Sequence, residues 1–184
     1  MNRNQEPYRT WKQTDPAFNE KEAWPKEQFP RAHYHYLKDT GCLLTSLSIM
    51  LRHFGIEKET EERKFNPWIL HERLLAAGVY DEVADLCLQR VHRVYPIEYC
   101  GSVPFSKETL QRVAGTGEPF LIAVPGQLAP RHFIAPDHPE GDTFTVFDPN
   151  SEKQSLEEYP AVLELRIFWT PQSGAPLGNR TVIR

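Results

Sequence analysis

Cysteine is scarce in this chain of 184 residues: Cys42, Cys87 and Cys100 are the only three. An odd number at irregular spacing makes no disulfide framework, so the fold must rest on its core. Cys87 and Cys100 could pair, but buried free thiols are the expectation, and a reducing cytoplasm is the default compartment. His33, His35, Cys87 and Cys100 lack any zinc-ligand spacing, and neither metal nor cofactor is expected. Positive charge is not in excess either. The net charge is −4 and no Lys/Arg-rich run occurs, so a nucleic-acid groove is unsupported and no nucleic-acid partner is expected. No apolar stretch approaches spanning length, and residues 1–5 carry no apolar signal core, so neither a membrane segment nor a signal peptide is expected within this sequence.

What is present reads as one α+β domain over 1–184. Residues 1–38 are polar, aromatic and interrupted by Pro7, Pro16, Pro25 and Pro30, which predicts an extended arm wrapped over the rest. A helical half follows over 39–115. Its first helix, 41–54, has apolar residues at 43, 44, 47, 50, 51 and 54 and stops at Gly55. A charged surface loop is expected over 57–65. Asn66 as N-cap and Pro67 at the first helical position open a second helix, ended by Gly78. A third is expected over about 81–92, with Val83, Leu86 and Leu88 inward. Ser106 caps a short fourth helix reaching about Ala114. The β half spans 117–170, with strands at 119–124, 132–135, 143–147 and 161–170 and a turn over 136–142. A polar tail over 171–184 completes the chain.

Chemistry concentrates at Cys42. Asp39 or Thr40 can cap its helix, which puts the sulfur where free N–H groups and the helix dipole favour negative charge. The thiolate is the nucleophilic form of cysteine. Such a nucleophile needs a base, and the base needs an orienting group. His53 shares the helix but lies about 16 Å along it. His33, His35, His71, His92 and His138 read as surface or packing residues. His132 starts a strand whose hairpin returns to Asp148. With the loop over 138–142, residues 137 and 143 pair and His132 lies directly opposite Asp148, sharing its face. The carboxylate can then accept a ring N–H and fix the tautomer. A buried structural thiol and a turn-forming Asp remain the plainer alternatives.

The motif Gly41-Cys42-x-x-Thr45-Ser46-Leu47-x-x-Met50-Leu51 resembles the nucleophile helix of papain-like cysteine peptidases. The resemblance is strongest to the bacteriocin-leader-processing peptidases and their single-domain bacterial relatives. Asn66-Pro67-Trp68-x-Leu70, Gly117-Glu118-Pro119-Phe120, His132-Phe133 and Phe147-Asp148-Pro149 follow in that group's order, over about residues 11–150. Gln13-Thr14-Asp15-Pro16 resembles an upstream element of the group, which implies Gln13 as an oxyanion donor. The likeness implies a papain-like fold and a Cys42–His132–Asp148 triad hydrolysing an amide in a peptide or protein substrate. Bulky Leu43 and Leu44 after the cysteine, and Arg131 before the histidine, depart from the group's pattern. They motivate a non-catalytic binding module as an alternative. Acyl transfer by the same triad is another.

Overall fold

The computed structural model describes residues 7–171, apart from 19, 59–64, 128 and 141–142. The tail expected over 171–184 lies, beyond residue 171, outside the described residues. An antiparallel sheet in the order β1-β5-β2-β3-β4 occupies the middle. Its strands are β1 (Glu98–Pro104), β2 (Phe120–Val124), β3 (His132–Glu140), β4 (Thr143–Phe147) and β5 (Glu164–Trp169). The α-helices among the described residues are α1 (Leu37–Thr40), α2 (Cys42–His53), α3 (Pro67–Ala76) and α4 (Lys107–Gly115). The chain is α+β, and none of the described helices is long and apolar enough to cross a membrane.

Two cores form because β2 is buried on both faces. Its Leu121 packs with Leu47, Met50 and Leu51 of α2 and Leu70 and Leu74 of α3. Phe120, Ile122 and Val124 pack with Leu110 and Val113 of α4 and with Ile134, Val146 and Leu165 of the neighbouring strands. An unbroken apolar run suits a strand covered on each side. The cap signals act as their chemistry dictates. Asn66 Oδ1 accepts the Ile69 N–H at 3.0 Å ahead of Pro67, and Ser106 Oγ accepts the Thr109 N–H at 3.0 Å.

The departures have local causes. Residues 81–92 do not form the expected α-helix. Asp81 Oδ1 takes the N–H groups of Val83 and Asp85, Ala84 turns to a φ of 67°, and only a 3₁₀ helix, Leu88–Arg93, follows. A short polar side chain that satisfies nearby N–H groups competes with helix formation. β1 lies inside the stretch read as helical. β3 continues through Pro136 and Pro139 to Glu140, where a turn was expected. Among the described residues only β4 pairs with this far half of β3, so the missing proline N–H groups cost no ladder bond to β2. Glu57, at the start of the expected surface loop, is buried and ion-paired with Arg73 at 2.7 Å. His71 is 1% exposed, with Nδ1 3.0 Å from the Tyr80 hydroxyl, and so is a core residue.

The start of α2 is also not capped as expected. Asp39 and Thr40 are helical residues of α1, and Gly41 is the N-cap, with no side-chain cap bond. A chain that runs from one helical turn into the next leaves 39 and 40 without the extended backbone a capping side chain needs. Gly41 donates its N–H to Leu37 O at 2.6 Å, and a Cβ at this position would lie 2.4 Å from the same oxygen. Gly41→Ala therefore has to displace backbone. It is expected to destabilise the protein by about 1–3 kcal/mol in urea unfolding, and an unchanged midpoint would contradict this close approach.

Candidate active site

α2 presents Cys42 at its first turn and carries Ser46 one turn later on the same face. Ser46 is fully buried, and its hydroxyl donates to Phe133 O at 2.8 Å. That bond ties α2 to β3 one residue from His132. Leu44 is buried in the core and Leu43 packs against it. Their bulk is therefore directed into the protein.

His132 donates from Nε2 to Asp148 Oδ1 at 2.7 Å. The two residues are not directly opposite, as the sequence register suggested. Ala135 pairs with Phe147, the ladder continues to Glu140 opposite Thr143, and a bulge falls between Pro136 and Pro139. Extending this register sets 134 against 148, so His132 is a diagonal neighbour of Asp148. A shift of two residues keeps side chains on one face, whereas a shift of one would have separated them.

Electrostatics joins three side chains. Burial opposes the His132 imidazolium, but hydrogen bonds with Asp148 and then Cys42, and the charges behind them, outweigh it and raise the ring to about 9. With Nε2 on the carboxylate, Nδ1 is the nitrogen left for the thiol. Burial likewise opposes the Asp148 carboxylate. Donors from His132, Ser151, Tyr159 and the Asn150 N–H overcome it and hold Asp148 well below the usual carboxylate range. Exposure falls along the line. Cys42 is half-buried, the His132 side chain is 15% exposed and that of Asp148 is 3% exposed.

The arm supplies Gln13, which is 4% exposed. Its N–H donates to Pro149 O at 2.9 Å and its Nε2 to Lys38 O at 2.8 Å. Gln13 thus spans the gap between the turn after Asp148 and the turn leading into Cys42. Lys12 beside it donates to Asp148 O at 2.9 Å and to Ser151 O. Arg131 is drawn to Glu164 of β5, 3.3 Å away. Sequence reasoning passed over Lys12, Ser151 and Tyr159. Asp148-Pro149-Asn150-Ser151 does carry a turn signal, and the Asn150 and Ser151 N–H groups do bond to Asp148 Oδ1. Asp148 is both turn former and histidine partner. Among the described residues no group of three or more His, Cys, Asp or Glu is placed to hold a metal ion.

A raised His132 has a definite effect on stability. The ring binds its proton more tightly when folded than at its ordinary 6.5, so its contribution is complete below 6.5 and is lost as pH rises through about 9. The difference in unfolding free energy between wild type and His132→Ala is expected to shrink across that window. A difference that grows with pH would overturn the assignment. Searches of protein-family models, curated proteins and solved structures each returned no match to this chain.

Proposed function

We propose that this protein is a papain-like cysteine peptidase or related amide hydrolase acting on a peptide or protein substrate. The observation that carries the reading is the line from Cys42, at a helix start, through His132 to a buried, ionised Asp148. A base that is itself oriented by a third group is what an activated thiol requires.

In the proposed reaction the Cys42 sulfur attacks the amide carbon and His132 holds the proton released from the thiol. The oxyanion forms beside the Cys42 N–H and the Gln13 amide. His132 then gives its proton to the departing amine, and water, deprotonated by the same ring, hydrolyses the thioester. Asp148 keeps Nε2 protonated throughout and stays a carboxylate. The positions of Leu44 in the core, of Leu43 packed against it, and of Arg131 on Glu164 support an approach left open for substrate.

Brief treatment with iodoacetamide across pH 5–9, followed by intact mass, tests the pair directly. Fast single labelling near pH 6, mapping to Cys42 and slowed at least about tenfold in His132→Ala, is expected of a thiolate sustained by imidazolium. Labelling that begins only above pH 8, or ignores His132, would reduce Cys42 to an ordinary thiol. For any peptide that wild type cleaves, Cys42→Ala is expected to abolish turnover and Gln13→Ala to slow it about 10²–10³-fold. Full turnover by either variant would remove that residue from the mechanism.

A further inference from the structure

The second oxygen of Asp148 is occupied by side chains that the proposed mechanism does not use. Oδ1 already receives His132 Nε2 and the N–H groups of Asn150 and Ser151. Oδ2 accepts the Ser151 hydroxyl at 2.6 Å and the Tyr159 hydroxyl at 2.7 Å. A carboxylate that carries its own turn on one oxygen can still pivot about its side-chain bond. Two donors on the other oxygen remove that freedom.

Tyr159 is well fixed for this task. It follows a 3₁₀ turn, Leu156–Glu158, closed by a reciprocal capping box between Ser155 and Glu158. The turn is docked on β4 through Val146 N–H to Gln154 O at 2.8 Å and a bridge between Thr145 and Ser155. The Tyr159 ring packs against the second core, and Lys153 Nζ lies 4.3 Å from its centre. Burial and the adjacent carboxylate both raise the phenol, so it remains a donor wherever the protein is folded.

We propose that Tyr159, assisted by Ser151, is a positioning residue that locks the Asp148 carboxylate in the orientation that presents Oδ1 to His132. The lock is anchored in β4 and the following turn, outside the Cys42 helix. Its consequence is persistence: the His132–Asp148 bond survives into acid, where a carboxylate with fewer donors would take up a proton and release the ring. The catalytic meaning of this lock rests on the peptidase reading, but the lock itself does not.

The hydrogen-bonded imidazole proton of His132 reports on it directly by NMR, assigned by its loss in His132→Ala. In Tyr159→Phe, which keeps the ring and removes one oxygen, the acid midpoint at which that resonance disappears is expected to rise by about one pH unit. Ser151→Ala should move it in the same direction, and the double variant further. Far-UV circular dichroism at each pH separates the two causes: a residue that merely packs would move the midpoint only together with the acid unfolding transition, and a midpoint that does not move ahead of unfolding in either variant overturns the proposal. Alkylation that depends on His132 with an unmoved midpoint would sink the lock and spare the peptidase reading. A shifted midpoint with alkylation indifferent to His132 would establish the lock and sink that reading.

Discussion

Helix α2 is buried around its whole circumference between residues 44 and 51, and the rest of the structure is arranged about that burial. A surface helix needs only one apolar stripe, but this one also takes Thr45, Ser46 and Ser48 out of water. Among the described residues, two of these three hydroxyls find a partner and Thr45 Oγ1 does not. Ser48 turns back to Leu44 O at 2.9 Å within the helix, while Ser46 reaches across to Phe133 O. The cross-bond is specific in a way that apolar packing is not. It sets which turn of α2 meets the start of β3, and so brings a thiol and an imidazole ninety residues apart into one site.

On the other side of the imidazole, order comes from polar saturation. Asp148 is nearly closed to solvent, a placement that penalises charge unless donors surround it. The turn that follows it supplies two N–H groups and a hydroxyl, and Tyr159 adds another. The arm then grips the outside of that turn through Lys12 and Gln13. Further along the same hairpin, Arg9 forks onto Asp137 at 3.0 and 3.1 Å and lies over the Phe147 ring. One short stretch of arm therefore holds the β3–β4 hairpin at two points, and Gln13 links it to the segment before Cys42.

Elements whose signals are local were legible in the sequence. The α2 periodicity, the Asn66-Pro67 and Ser106 starts, and the apolar runs of β2 and β4 each carry their cause within a few residues. The helix expected over 81–92 failed because Asp81 offered the backbone closer partners. β1 was invisible because its alternate residues face solvent and its middle holds Gly101 at a φ of 112°. The extension of β3 through two prolines was masked by residues that ordinarily break a strand, and here β2 does not pair with that half of the strand. His132 and Asp148 could be assigned to one face from hairpin parity, yet the actual register differs by two residues because the pairing runs on to Glu140 and Thr143 and the ladder is bulged.

The sequence by itself determined which residues could carry chemistry and on what local scaffolds: Cys42 at a helix start, His132 at a strand start, Asp148 in a turn-forming Asp-Pro step. These follow from backbone preferences and side-chain period, which act over a handful of residues. Tertiary structure alone decided how those scaffolds meet. It set the depth of the carboxylate, the raised affinity of the ring for its proton, and the service of Lys12, Ser46, Ser151 and Tyr159. Those properties depend on desolvation and on hydrogen bonds between groups far apart in the chain, and neither quantity exists until the core has closed around them.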